Sequence, residues 1–172
     1  MARASTKPNK NIYQVTREGL GLTREKAAEV LSGMTADRIE KIENEKCIPH
    51  PEDVLIMANG YKAPNLCNHY CSTQCPIGQQ YIPEIKIKNL SQIVLEMLAS
   101  LNSMNNKKDR LIEIAADGEV DEEEIEDFIR IKEELEKISI TVDALQLWSE
   151  KMLATGVIDN EKYQQYIKAR KK

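Results

Sequence analysis

The feature that most constrains the fold is a set of apolar residues spaced alternately three and four positions apart between Asp121 and Ala154. A helix with that spacing carries one continuous apolar seam along its length. The seam has to be buried, so we expect a second helix of the chain to fold back along it, a second copy of the chain to cover it, or both. The seam residues, with Ser149 as the polar exception, are Phe128, Ile131, Leu135, Ile138, Val142, Leu145 and Met152.

The residues on either side of this helix favour the same kind of structure. A shorter helix is expected at Lys107–Ala116, and Asp159 is expected to cap a final helix. Aromatic residues make up only 5% of the chain, which argues against a β-sandwich. We therefore predict an all-α fold in which residues 83–172 form a long-helix hairpin or coiled-coil bundle. An earlier row with coiled-coil spacing consists of Leu90, Val94, Met97, Leu101 and Met104.

Four short helices are predicted in the first sixty residues. The first covers Asn11–Gly19, and Thr23 opens the second. Thr35 is the expected N-cap of a third helix, which runs from Ala36 to about Lys46, and Pro51 occupies the first turn of a fourth. The apolar stripe expected on the first helix consists of Ile12, Val15 and Leu20.

Between these two helical parts lies a segment without charge. Residues 63–82 contain Pro, Asn, Ser and Gly but no helical period, so they predict an irregular connector. The expected organisation is an N-terminal helical domain at 10–62, a cysteine-rich connector at 63–82 and a helical dimerisation or interaction domain at 83–172.

Charge is distributed unevenly along the chain. The net charge is −4, yet residues 1–62 carry ten Lys and Arg against nine Asp and Glu, while residues 83–172 carry fourteen against nineteen. An acidic C-terminal half can therefore accompany a locally basic face elsewhere. No apolar run is long enough to span a membrane, and Met1 to Lys10 lacks the apolar stretch of a secretory signal. We expect a cytoplasmic protein.

Residues 23–46 have the composition of a helix-turn-helix. The paired Ala27 and Ala28 allow close helix crossing, a Gly-containing turn follows, and the next helix opens with a polar turn. Three stretches are similar to sequences of one family of regulators: T-R-E-K-A-A-E-V-L, R-I-E-K-I-E-N-E-K and P-H-P-E-D-V-L-I-M-A. Through these stretches, residues 10–62 resemble the Xre/Cro-like family of bacterial and phage regulators. The resemblance implies a lambda-repressor-like domain that reads double-stranded DNA in the major groove.

The same resemblance implies which residues meet DNA. The turn at Ser32–Met34 is one residue longer than the family's usual turn, and Glu45 stands where the family usually has Gly. At the start of the second helix, Thr23 and Arg24 would contact phosphate. The residues that would meet bases or nearby phosphates are Thr35, Ala36, Asp37, Arg38 and Lys41.

Every Cys and His of the chain falls between positions 47 and 75. Three interpretations stay open at this point. The thiols pack as small apolar residues, they form a redox-sensitive pair, or they hold Zn²⁺ or an iron–sulfur cluster. The candidate metal ligands are Cys47, Cys67, Cys71 and Cys75, with His69 as a further donor.

The chain carries no motif of a catalytic site. It lacks a phosphate-cradling glycine loop, a zinc-protease motif and a nucleophile motif, so we predict that it is not an enzyme. We expect a sequence-specific transcription regulator, a repressor, that acts as a homodimer because one small domain buries too little DNA. The alternative is a helical protein-interaction adaptor of a phage, mobile-element or toxin–antitoxin regulatory pair.

Overall fold

The computed structural model describes residues 9–170, and these residues are all-helical, without a strand. This confirms the predicted all-α class for the described part of the chain. The sequence expectation for the start of the chain, residues 1–8, lies outside the described residues. The helices are α1 (Ile12–Gly19), α2 (Arg24–Val30), α3 (Ala36–Glu43), α4 (Pro51–Gly60), α5 (Asn65–Thr73), α6 (Gly78–Tyr81), α7 (Leu90–Asn105), α8 (Lys108–Ile114), α9 (Ile125–Ala154) and α10 (Asn160–Arg170).

The chain divides into two compact units. Within the described residues, the first contains 9–84 and 149–170, and the second contains 85–148. No helix among residues 9–170 has both the length and the apolar composition that crossing a membrane requires.

The first three helices begin at side chains that cap them. Asn11, Thr23 and Thr35 each accept a hydrogen bond from the backbone N–H three residues later. These bonds satisfy N–H groups that have no partner inside the helix. The predicted caps Thr23 and Thr35 are confirmed, and Pro51 is the first residue of α4, as expected.

The core of the first unit differs from the predicted one on α1. Val15 and Leu20 are exposed, whereas Tyr13, Gln14 and Arg17 are buried. The prediction was wrong because it placed only apolar residues on the inner face. Arg17 occupies that face because it has a buried carboxylate as its partner. The core itself is formed by residues of α1 to α5, among them Leu31, Ile39, Ile42, Met57 and Leu66.

Residues 63–82 are not irregular, contrary to the prediction. They form α5 and α6, and α5 packs against α4. Leu66 is buried, and Cys67 and Tyr70 pack partly against the same core, which gives α5 a helical period once cysteine is counted as apolar. A side chain at Gly78 would overlap the backbone carbonyl of Cys71, so α6 can approach α5 only with glycine there.

In the second unit, α7 lies antiparallel beside α9. Ile93 near the start of α7 forms a small core with Ala144 and Leu147, whereas Lys107, after its end, approaches the Arg130 carbonyl oxygen at 3.4 Å. The second helix therefore does fold back along the long one.

The predicted seam on α9 is only partly buried. Ile131 is buried and Ile138 is half-buried, but Phe128, Leu135 and Val142 are exposed. The buried line continues instead through Glu134, Thr141, Ala144 and Leu147. A straight helix has 3.6 residues per turn, so contact with one neighbouring helix covers one flank of a heptad stripe and leaves the other uncovered.

Candidate nucleic-acid interface

Helices α2 and α3 pack closely through small and apolar side chains. Ala27 is completely buried between them, and Leu31 and Met34, at the two ends of the connecting turn, are also buried. Gly33 has a φ of 96°, which only glycine adopts without strain, and this turn leads into the Thr35 cap. The turn thus fixes where the first turn of α3 begins.

Helix α3 has one buried and one solvent-facing side. Ile39 and Ile42 are buried in the core. On the opposite side Asp37 and Lys41 form an ion pair of 2.8 Å between Oδ2 and Nζ, and both are largely exposed. Exposed pairs of this kind stabilise a helix by less than about 1 kcal/mol, so Lys41 is free to exchange its partner for another anion.

A buried ion pair joins the end of α3 to the helices before it. The Glu43 carboxylate is fully buried and accepts hydrogen bonds from Arg17 Nη2 and from Arg24 Nε, both at 2.9 Å. Arg17 also donates to the Leu22 carbonyl oxygen. The hydrogen bond to Glu43 raises the pKa of Arg17 above its usual value. The cluster links α1, the start of α2 and the end of α3, and it fixes their relative orientation.

The cluster of Arg17, Arg24 and Glu43 was not among the features predicted from the sequence. Arg17 follows Tyr13 by four positions and therefore shares its inner face, which is a detectable signal. A charged residue on an apolar face indicates a buried partner, but the spacing of 26 residues to Glu43 gives no clue to which one.

Arg38 is held by two neighbours from outside α3. Its Nε lies 3.1 Å from Asp53 Oδ2, and its Nη1 lies 3.2 Å from Cys47 Sγ. The same Asp53 oxygen also accepts from Arg38 Nη2 and from the His50 backbone N–H. Burial opposes ionisation of Asp53, but the hydrogen bonds from Arg38 and His50 outweigh it and lower its pKa. The hydrogen bond to Asp53 in turn raises the pKa of Arg38.

The other predicted contact residues lie at the starts of α2 and α3. Thr23 and Thr35 use a hydroxyl lone pair for their caps. The Thr23 hydroxyl also donates to the Glu25 carboxylate, whereas the Thr35 hydroxyl keeps its proton for another acceptor. Arg24 is tied to Glu43 through Nε, and its Nη1 lies 3.9 Å from Oε2 of the exposed Glu40. Ala36 is half-buried in the first turn of α3.

Helix α3 ends three residues earlier than predicted. Glu45 has a φ of 57°, and the Lys46 N–H bonds back to the Lys41 carbonyl oxygen at 2.9 Å. A left-handed residue with this bond is how helices commonly terminate, and glycine is the usual residue there. The chain thus makes this helix-ending turn with a glutamate.

The cysteines do not gather into one cluster. Cys67 and Cys71 lie four residues apart on α5 and Cys75 lies two residues beyond its end, whereas Cys47 lies beside Arg38. Over residues 9–170, no three His, Cys, Asp or Glu side chains are grouped so that they could share a metal ion. Burial, and then the neighbouring Cys71, raise the pKa of the Cys67 thiol. Metal binding by these residues stays a prediction.

A cavity of about 370 Å³ lies on the first unit between α1, the segment after α3, and α5. Asn11, Cys47, His69 and Gln74 are part of its lining. The Tyr13 hydroxyl donates to Gln74 Oε1 at 3.2 Å, and its ring meets the His69 ring edge-on at 6.2 Å. These contacts connect α5 to α1, so the segment predicted as a connector forms one wall of the first unit.

Comparison with protein-family models, with curated proteins and with solved structures gives no match for this chain.

Proposed function

We propose that the chain is a transcription regulator that binds double-stranded DNA sequence-specifically as a homodimer, with α2 and α3 as a helix-turn-helix. The observation that carries the proposal is the two-sided α3. Its inner side is anchored by Ile39 and Ile42, while its N-terminal turn is polar and open to solvent. A recognition helix has this construction because its first turns enter the major groove.

The buried cluster around Glu43 supports this assignment. A helix that reads base edges has to be held firmly, because hydrogen bonds to bases depend on position. Arg17 and Arg24 hold the end of α3 through Glu43. Arg24 is the link between this brace and a phosphate, since its terminal nitrogens lie at the start of α2, where a phosphate would replace the exposed Glu40 carboxylate 3.9 Å from Nη1.

Arg38 has the role of a base-reading residue in this proposal. Three of its N–H groups are used, on Asp53 and Cys47, and two of the five that a guanidinium carries are left for DNA. Asp53 keeps the side chain from moving freely, so less entropy is lost when it binds. Lys41, a mobile point charge on the same helix, is assigned to phosphate.

A second candidate is the protein-interaction adaptor. The observation in its favour is apolar surface on the first unit, where Ile48 is 69% and Leu55 is 54% exposed. Such side chains lie next to the proposed DNA-binding helices and could serve a protein partner instead.

Selection of bound duplexes from random DNA with the full-length chain tests the proposal. We expect a palindromic site with half-sites about one helical turn apart. We also expect the logarithm of the binding constant to fall linearly with the logarithm of the salt concentration. Failure to bind any DNA at low salt, with the helical content intact, would overturn the proposal, and a stable complex with a different protein would then favour the adaptor.

Two variants separate the assigned roles. Lys41→Ala should weaken binding to specific and random DNA alike and reduce the salt slope by about 1, whereas Arg38→Lys should lower discrimination at one base pair by about tenfold or more. Lys108→Ala, an equal charge change at an exposed position of α8, is the matched control and should leave both quantities unchanged. Equal discrimination by wild type and Arg38→Lys would remove Arg38 from the reading residues.

A further inference from the structure

The second unit leaves large apolar side chains uncovered on both of its long helices. Six of them, between 39% and 52% exposed, form one row on each helix. Monomeric proteins tolerate scattered residues of this kind, but contiguous patches mark interaction surfaces. The six are Val94, Leu98 and Leu101 on α7, and Phe128, Leu135 and Val142 on α9.

The two rows lie on the same side of the hairpin. On α7, Val94 follows the buried contact residue Ile93. On α9, Leu135 follows Glu134 and Val142 follows Thr141, and both of these preceding residues are buried. One residue along a helix is a rotation of about 100°. Since α7 and α9 are antiparallel, rotations of the same sense on the two helices place the rows on one common side.

The register of the hairpin makes this surface continuous. Lys107 Nζ lies 3.4 Å from Glu134 Oε1, and Ile93 packs with Ala144 and Leu147. Counting along the helices from these contacts places Leu101 level with residues near 137 and Val94 level with residues near 144. Leu135 and Val142 are therefore beside the α7 row, and Phe128 extends the surface along α9.

We propose that this surface binds the same surface of a second copy of the chain, so that two hairpins form a four-helix bundle. The inference deepens the homodimer in the proposed function and does not depend on DNA binding. In such a bundle each helix contacts two neighbours, one on either flank of its apolar stripe. Within one chain only the first flank is covered, and a second hairpin with the same spacing covers the other.

Charge favours a second copy as the occupant. Helix α7 has sixteen residues and one charged side chain, Glu96, which is paired with Lys88. On α9, Lys132 lies beside this surface, four residues after Phe128 and three before Leu135, and its charge is compensated by Glu136 along the helix. Two identical surfaces therefore meet without like-charge repulsion, whereas nothing in them selects an acidic or a basic partner.

The area is also sufficient for a dimer. Six large side chains exposed by about two-fifths to one-half present on the order of 400 to 500 Å² per chain. Two copies together then bury roughly 1,000 Å² from these residues alone, which is the lower limit for a specific interface, and neighbouring residues add to it.

Sedimentation equilibrium of the full-length chain, without DNA, tests this inference. The wild type should have twice the 19.6 kDa chain mass at micromolar concentration. Leu135→Glu should raise the dimer dissociation constant by about 100-fold or more, because two carboxylates would be buried without partners. Ile129→Glu is the matched control, since Ile129 is 50% exposed and lies about 120° around α9 from Leu135, and it should remain dimeric.

Circular dichroism checks that the variants stay helical, and Val94→Glu on α7 repeats the test if Leu135→Glu unfolds. A monomeric wild type, or dimers of undiminished affinity in folded Leu135→Glu and Val94→Glu, would overturn the inference. A dimer that binds no DNA would contradict only the DNA-binding function, whereas a monomer that selects a DNA site would contradict the surface assigned here and the homodimer, but not DNA binding.

Discussion

The Arg17 guanidinium and the Glu43 carboxylate form a buried ion pair that ties the first helix to the end of the third, with Nη2 and Oε2 2.9 Å apart. Arg24 donates to the same carboxylate from the start of α2. A carboxylate without exposure to water is tolerated only with such partners. The orientation of α3 therefore depends on a polar contact inside an otherwise apolar core.

Removing the charge of Glu43 should destabilise the first unit strongly. In Glu43→Gln two guanidinium groups lose their carboxylate, and the buried Arg17 has no water to replace it. We expect the free energy of unfolding to fall by about 3 kcal/mol, measured by urea denaturation with circular dichroism. Glu40→Gln is the control, because Glu40 is 43% exposed and its change should stay below about 1 kcal/mol. Equal effects of the two substitutions would contradict a structural role for the buried pair.

Local chemistry made the helix starts predictable. Thr23, Thr35 and Pro51 lie where capping and helix-start rules place them, because these preferences depend on a few neighbouring residues. The Glu43 cluster could not be predicted in the same way, since it joins positions far apart in the chain. Its members are individually ordinary charged residues.

The α5 helix and the partly buried seam of α9 show two other limits of prediction from the sequence. Cys67 and Cys71 are among the apolar positions that give α5 its helical period. The period is not visible when these cysteines are interpreted as metal ligands and are not counted as apolar residues. On α9 the sequence indicates that Leu135 and Ile138 belong to one stripe, but not which flank the chain itself covers. That choice depends on the tertiary position of α7.

The stability of the first unit should depend on pH through Asp53. Its pKa in the folded chain lies below the ordinary value of 3.8, so its hydrogen bonds contribute stability above about pH 4, and this contribution is lost as the pH falls through the folded pKa. Asp53→Asn should flatten the acid side of the stability profile, measured by thermal unfolding from neutral pH downward. Glu52→Gln, an exposed neighbour, is the control. A profile of Asp53→Asn parallel to that of the wild type would show that the Arg38–Asp53 contact does not stabilise the fold.

The cysteines of α5 should act through packing. Cys67 lies against the core, and its thiol pKa is raised by burial, so Cys67→Ser places a hydroxyl in an apolar position. We expect a loss of about 1 to 2 kcal/mol in the free energy of unfolding, and a smaller loss for Cys75→Ser beyond the end of the helix. Treatment with a chelator should leave the melting temperature unchanged. A stoichiometric metal in anaerobically purified protein, together with a chelator-sensitive melting temperature, would instead establish the metal site.

Replacing Glu45 by glycine should stabilise the chain. Glu45 has a φ of 57°, a conformation in which a residue with a Cβ is strained by about 1 to 2 kcal/mol, while glycine adopts it readily. Glycine also has more freedom in the unfolded chain, which offsets part of this gain, so we expect about 1 kcal/mol in urea denaturation. Lys46→Gly is the matched control, because the next residue lacks a positive φ; there glycine adds unfolded-state entropy and removes the exposed Lys46–Glu40 ion pair, and both should destabilise the chain. Because Glu45 is exposed and forms no ion pair with a described residue, a loss of stability in Glu45→Gly would mean that the left-handed turn is not the conformation in which α3 ends.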